Sequence, residues 1–430
     1  MRIGERLARI YELGNVNSPD RNLPMEGLRG FAVLLVFFVH YHALFKPWLV
    51  TGSYSFLVSE FVGTIGLSGV DLFFVLSGYL IYGWTIRKYS NYAKFIRRRI
   101  ERIYPTFLCV FAVYLVLSAL YPAESRIPAE PLSATLYLIE NVLLLPGVFD
   151  IHPVITVAWS LSYEFFFYLF IPLVVVRLGM RRWSGRSRVI FFLTLALVYT
   201  AYCFVGTTYA RIHFIMFISG ILLFEATYTY ELARRVTARL DYSVYLILAL
   251  IFPLYYAFAI KPEVFPFLPH ARSLNENYRM ILLFGGFWIF TLAAFSPRTV
   301  SSRIFAWTPL RWLGNISYSY YLIHGLTLKV IAVVLMRLIP LSGLSTFAFW
   351  LGLPIFFFMT LVSSTLLFIL VERRFSIPTA AAAPARRVRE ASAGVVEGTA
   401  AMAAAAPALS SDVDLQPLGA WPVVSESEKV

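Results

Sequence analysis

Ten stretches of this chain are each apolar enough and long enough to cross a bilayer, and that one feature decides most of what the sequence can fold into. They run over 29–48, 57–84, 105–122, 156–176, 189–205, 212–226, 243–260, 279–295, 316–338 and 346–371. The second is long enough to tilt or to extend past the bilayer, and the sixth is the shortest. With 59% hydrophobic and only 14% charged residues, the composition lies far from that of soluble proteins. The expected fold class is an all-α integral membrane protein of about ten transmembrane helices.

A net charge of +13 could suggest a nucleic-acid partner, but the distribution of the charge argues against it. With the N-terminus in the cytoplasm and ten alternating spans, most Lys and Arg residues fall in cytoplasmic segments. The basic excess therefore reports topology, with both termini cytoplasmic and no nucleic acid expected. Arg2, Arg6, Arg9 and Arg21 precede a first apolar run of full spanning length, which reads as a retained helix and not a cleaved signal. Cys109 and Cys203 both fall inside spans and read as packing residues. The six histidines (40, 42, 152, 213, 270 and 324) are scattered, and no metal site is expected.

Three regions follow from this pattern. Residues 1–24 form a basic cytoplasmic lead, expected to hold an interfacial helix and then a turn cluster. Residues 25–375 form the membrane domain. Residues 376–430, rich in Ala and Ser, are expected to be a disordered cytoplasmic tail with no second folded domain. In the outer loop 123–155, the apolar piece L138-I-E-N-V-L-L-L-P146 is expected to lie on or dip into the membrane.

Against so apolar a background, each ionisable residue inside a span marks a candidate site. Arg29 and His40 lie eleven residues apart on the first span, about three helical turns, so they share a face, and Glu26 lies near the same stripe. His40 is expected near the bilayer midplane. Its imidazole, with an ordinary pKa of about 6.5, suits proton exchange at neutral pH. His42 points away and reads as structural. Asp71, expected as a mid-membrane carboxylate, needs a partner that Arg29, His40 or His324 could supply, and it could equally be a structural ion pair or a polar hinge.

Arg98, Arg99 and Arg102 stand within a helical turn of one another. Their guanidinium forks match phosphate oxygens, and plain positive-inside anchoring accounts for them as well. Ser160 and Glu164 share a face of the fourth span, entered from the opposite surface. They either take part in chemistry or line a polar crevice. Ser317, Tyr320, Tyr321 and His324 form a stripe that reads as core packing, with His324 as a second candidate base. Arg211 could hold an acceptor or snorkel to the interface, and Glu372 is expected to pair with a loop arginine.

Seven pieces taken in order, E26-G-L-R-G30 leading to His40, G69-V-D-L-F-F-V-L-S-G-Y-L80, R98-R-I-E-R-I-Y-P105, W159-S-L-S-Y-E164, Arg211 leading to Gly220, G314-N-I-S-Y-S-Y-Y-L-I-H324 and V371-E-R-R-F375, resemble the membrane-bound acyltransferase 3 family. The resemblance runs from about Pro24 to Phe375. It implies transfer of an acyl group, usually acetyl, from cytoplasmic acyl-CoA to a sugar hydroxyl on the outer side. It also implies that His40 is the essential residue, that Arg29 acts with it, and that Arg99 and Arg102 serve the donor. Glu26 stands where the family commonly has Asp, and the esterase-like domain of some longer members is not expected.

On this combined reading the catalytic residues are His40, Arg29 and Glu164, and the acyl-CoA donor is held by Arg98, Arg99 and Arg102. Glu26, Asp71 or another partner orients His40, Arg29 anchors the donor or stabilises developing negative charge, Glu164 and Arg211 line the acceptor's entry from outside, and Ser160, Tyr321 and His324 are acceptor or supporting residues. Direct transfer and a covalent acyl-histidine both fit. The expected partners are a carbohydrate acceptor, membrane lipid and polysaccharide-assembly proteins, and the expected location is a bacterial inner membrane. The competing reading is a proton-coupled transporter or polysaccharide-export permease that uses Asp71, Glu164 and His40 as a relay.

Overall fold

The computed structural model describes residues 3–13, 21–89, 91–205, 211–265, 268, 272–338 and 345–376. The expected tail from 377 onward, most of the N-S-P-D turn cluster and His270 lie outside the described residues. The helices are α1 (Ile3–Tyr11), α2 (Leu23–Phe45), α3 (Tyr54–Gly66), α4 (Ser68–Lys88), α5 (Tyr92–Leu120), α6 (Pro131–Val142), α7 (Trp159–Arg177) and α8 (Gly185–Val205). They continue with α9 (Phe214–Phe224), α10 (Ala238–Ile260), α11 (Arg272–Ala294), α12 (Val300–Phe305), α13 (Thr308–Asn315), α14 (Ser317–Leu338) and α15 (Ser345–Leu367). Among the described residues no strand forms, and ten helical segments are long and apolar enough to cross a membrane. Each overlaps one of the ten apolar stretches.

Two boundaries differ from the sequence reading. The expected second span is two helices, α3 and α4, that meet at Leu67. Ser68 Oγ donates to the Ile65 carbonyl at 2.7 Å, a local side-chain bond of the kind that competes with the helix ladder and bends it. The third span begins well before Pro105, because α5 starts at Tyr92, where the Asn91 side chain accepts from Lys94 N at 3.0 Å. Pro105 deprives the Glu101 carbonyl of its donor, but Glu101 is exposed, so the helix runs on. The arginine cluster therefore sits on the first turns of α5 and not on a loop.

Small residues set the packing around α4. A Cβ on Gly220 of α9 would stand 2.0 Å from the Val75 carbonyl, so the two backbones meet there with no room for a side chain. Phe74 stacks on Phe217 at 4.6 Å, and Phe167 stacks on the other face of this layer at 4.4 Å from Phe217. Outside this core, α10 presents Leu246 and Leu250 as exposed, lipid-suited residues. The apolar piece at 138–146 belongs in part to the short helix α6, whose Leu132, Leu136 and Ile139 are exposed on one side, while Asn141 is buried and accepts from Val154 N at 2.8 Å.

The lead helix α1 forms as expected, and its end is tied to the membrane domain. Glu12 accepts from Arg21 at 2.7 Å, from Arg311 at 2.8 Å and from Trp312 Nε1 at 3.0 Å. Burial pulls the Glu12 carboxyl up, but the hydrogen bonds from Trp312 and Arg21 and the charges of Arg311 and Arg21 outweigh it and hold the group below its ordinary value. Glu26 joins the same network, accepting from Arg21 at 2.5 Å and from Arg311 at 3.2 Å. This corrects the expectation that Glu26 orients His40. It sits three residues before Arg29, at the end of α2 remote from His40, and two arginines already hold it.

Candidate active site

Helices α2, α4, α5, α7 and α14 enclose one cavity. Arg29, Arg99, Arg102, Ser160, Glu164 and Tyr321 all line it, with Ser77, Tyr168, Ser317 and Tyr318 between them. Arg29, Arg99 and Ser317 stand near the starts of the first, third and ninth spans, hence at the same end of the bundle. Ser160 stands near the start of the fourth span, so it approaches the cavity from the other end. Three cations thus converge from one side on a cavity whose far side carries the Ser160 and Tyr321 hydroxyls among apolar residues such as Val70, Phe73 and Leu161.

The polar groups are held in place individually. Arg29 donates to Ser317 Oγ from Nη2 at 2.8 Å and from Nε at 3.2 Å. The Glu164 carboxylate accepts the hydroxyls of Ser77 and Tyr168. The Arg99 guanidinium lies over the rings of Phe95 and Tyr168, at 5.1 Å and 5.4 Å, and its Nε is buried without an acceptor among the described residues. The guanidinium is thus steadied by two rings with one buried N–H left unpaired. Arg98, by contrast, is exposed and does not line the cavity, which removes it from the expected donor site. Glu372 is 2% exposed and accepts from Ser319 N at 3.1 Å and Ser319 Oγ at 2.5 Å, so its direct partner is a serine and not a loop arginine.

His40 does not line the cavity. It lies beyond the cavity's far side, with its ring edge-on to His324 at 4.9 Å. The step between the two is Tyr321, which lines the cavity and whose ring is 6.2 Å from that of His324. Tyr321 and Ser160 share a hydroxyl–hydroxyl bond of 2.6 Å, and Tyr321 also donates to the Val157 carbonyl at 2.8 Å. Arg29 and His40 do share a face of α2, since both meet α14, one at Ser317 and the other at His324. Eleven residues of helix separate their backbones by about 16 Å along the axis, while their partners Ser317 and His324 stand seven residues, roughly 10 Å, apart on α14. His42 turns away and bonds Ser59 Oγ at 2.8 Å.

Asp71 has none of the three partners expected for it. Its carboxylate is 2.6 Å from His213 Nδ1, and His213 Nε2 is 3.1 Å from Glu276. His213 is the third residue of the sixth span, so Asp71 belongs to the end of the bundle opposite the arginines and not to mid-membrane. Trp159 and Tyr163 flank the histidine, with ring centroids at 5.5 Å and 6.2 Å. Arg211, two residues earlier, is exposed, and its carbonyl accepts from Tyr199 at 2.8 Å. The sequence reading missed both His213 and Glu276. The only signal for His213 was its place two residues after Arg211, and Glu276 was hidden in a stretch taken for a loop.

A polytopic membrane protein with a cationic pocket at one end and a histidine pair toward the other is the class that fold and site define. The chain belongs to the acyltransferase 3 family, whose acyltransferase domain matches residues 22–369. It is similar to "O-acetyltransferase OatA" of Staphylococcus aureus (strain NCTC 8325 / PS 47), at 27% identity over 355 residues, covering 74% of this chain and 52% of that protein. It is also similar to "Putative peptidoglycan O-acetyltransferase YrhL" of Bacillus subtilis (strain 168), at 27% identity over 332 residues, covering 70% of this chain and 47% of that protein. The chain spans about half the length of the curated relatives it matches. No solved structure gives a significant match.

Proposed function

We propose that this chain is a membrane O-acetyltransferase that moves an acetyl group from acetyl-CoA, bound at the arginine end, to a hydroxyl of a cell-envelope carbohydrate arriving from the other end. The observation that carries the reading is the polarity of the cavity between α2, α4, α5, α7 and α14. Arg29, Arg99 and Arg102 crowd one side of it, and on the other Tyr321 leads to His324 and His40. Membership of the family and the O-acetyltransferase relatives support O-acetyl transfer. The relative named for peptidoglycan supports a wall glycan as the class of acceptor. A bacterial plasma membrane is the location that suits such an acceptor.

The division of labour follows from distance. Arg99, with its unpaired buried N–H, and Arg102 hold the phosphates of the donor. Arg29, bonded to Ser317 and lining the same side of the cavity, belongs with them. The pantetheine arm lies along the cavity past Glu164 and brings the thioester to Tyr321 and the histidines. His40 takes the proton of the acceptor hydroxyl as general base, and the oxygen attacks the thioester carbonyl carbon. The C–S bond then breaks, and the proton passes from His40 to the departing thiolate. Asp71, His213 and Glu276, with exposed Arg211, line the approach of the sugar.

The test uses membranes holding equal amounts of wild type, His40→Ala and His42→Ala, supplied with radiolabelled acetyl-CoA and a cell-envelope polysaccharide fraction. Label is expected on the polysaccharide with wild type and His42→Ala, and a loss of at least 10²-fold is expected with His40→Ala, on the order of a general base's contribution. Full transfer by His40→Ala would remove the histidine from the chemistry. Flux of polysaccharide without acylation would return the chain to the transporter reading.

A further inference from the structure

The histidine beside His40 carries more than packing. His324 is 0% exposed, and its Nδ1 lies 2.9 Å from the Tyr320 carbonyl, one helical turn earlier. A carbonyl can only accept, so Nδ1 carries the proton, and in the neutral ring Nε2 is left as a bare acceptor. That Nε2 is buried and has no hydrogen-bond partner among the described residues. Buried acceptors without donors are rare and costly, and each requires an explanation.

The ring is also fixed in place. Tyr320 stacks on it at 5.3 Å with planes 13° apart, and the Tyr320 hydroxyl is itself bonded to Thr360 at 2.8 Å. Tyr321, the next residue, is bonded to Ser160. The groups that face His324 are His40 from α2 and Tyr320 and Tyr321 of its own helix, with no carboxylate or cation among its electrostatic partners. His40 is only half-buried and makes no side-chain hydrogen bond among the described residues. One ring lacks a donor, the other lacks an orienting partner, and their centroids are 4.9 Å apart.

We propose that His324 is the positioning residue for His40: its Nε2 accepts the single N–H of the neutral His40 ring and so turns the other nitrogen of His40, with its lone pair, toward the acceptor hydroxyl. A small turn of the half-buried His40 ring closes the bond. When His40 takes the hydroxyl proton, its charge is shared over both N–H groups, and the bond to His324 strengthens. The same proton then leaves with the thiolate, and the pair returns to its starting state. This inference rests on reading His40 as the general base.

The test compares His324→Leu and His324→Gln with wild type, each as the full chain in nanodiscs. Leu removes the acceptor, so kcat is expected to fall by about 10²-fold or more, while the KM for acetyl-CoA stays within about twofold because the arginine end is untouched. Gln offers a side-chain oxygen at similar reach and is expected to recover at least about tenfold of the loss. A Leu variant with near-wild-type kcat, or a kcat that Gln does not restore, would overturn the proposal. A second measurement does not need turnover. Nitrogen-15 NMR of the histidine-labelled protein is expected to show His324 protonated at Nδ1 and hydrogen-bonded at Nε2, with the His40 signals shifted in His324→Leu. A His324 protonated at Nε2, or His40 signals indifferent to His324, would sink the pairing even if O-acetyl transfer stood. Absence of transfer by wild type beside an intact pair would instead sink the functional reading.

Discussion

At the scale of single residues, the arginines divide by whether they line the cavity and not by position in the motif. Arg98 and Arg99 are neighbours in sequence, yet one is exposed to solvent and the other lies over two aromatic rings with a buried, unpaired N–H. Losing a hydrogen bond between a charged group and a phosphate costs about 1.5–3 kcal/mol, or roughly 10- to 100-fold in binding. Arg99→Ala is therefore expected to raise the KM for acetyl-CoA by that factor with little change in kcat, and Arg98→Ala to leave both within about twofold. Initial rates against acetyl-CoA concentration decide it, and equal effects of the two variants would mean that surface charge, not the cavity, recruits the donor. The sequence revealed which residues were ionisable inside spans, because such residues are conspicuous in lipid. It could not reveal who pairs with whom. Asp71 binds His213, which is 142 positions away, and helical spacing carries no information about contacts between distant spans. The Arg29–Ser317 and His40–His324 contacts are of the same kind, since each joins α2 to α14 across most of the chain.

At the scale of elements, apolar length located all ten spans, whereas their ends depended on local chemistry that hydropathy does not see. Ser68 divides the second span, and the Asn91 cap starts α5 more than two turns before the apolar run. The lead helix α1 shows what an end can do. It is only nine residues long, too short to hold itself in water, so its position depends on contacts at its end, among them Glu12 with Arg21, Arg311 and Trp312, Asn315 donating to the Tyr11 carbonyl and the Tyr11 hydroxyl bonded to Thr365. Because the docked Glu12 carboxyl lies below its ordinary value, docking is favoured over the undocked segment at pH above the ordinary carboxylate range. That contribution is lost as pH falls through the lowered value, and it does not change between pH 6 and 8. Hydrogen exchange in residues 3–13 is therefore expected to be slow at pH 7 and to lose protection, after correction for intrinsic rates, at a pH well below the ordinary carboxylate range. Glu12→Gln is expected to weaken protection at pH 7 and to abolish the step. A wild-type helix equally protected at both values would mean that the stacking of Tyr11 on Trp312, at 5.7 Å, holds it without the carboxylate.

At the scale of the whole membrane domain, function requires that the two ends of one cavity face different compartments. Spans alternate, so residues near the start of the third span and residues just before the fourth must lie on opposite sides if every apolar segment crosses. Under the function proposed above, the arginine end is expected to face the cytoplasm, in line with the positive-inside bias, and the Asp71–His213–Glu276 end to face outward. Arg98 and His152 are both exposed and neither lines the cavity, which makes them reporters that do not disturb the site. In a chain with Cys109 and Cys203 replaced, Arg98→Cys is expected to react with a membrane-impermeant maleimide only in inverted vesicles, and His152→Cys only in right-side-out vesicles. Labelling of both from one face would mean that the intervening α5 does not cross, and a donor and acceptor on opposite sides could not then share this cavity. With labelling on the expected faces, Tyr321, which lines the cavity, bonds Ser160 and stands beside His324, is then the side chain through which the donor cavity meets the histidine pair.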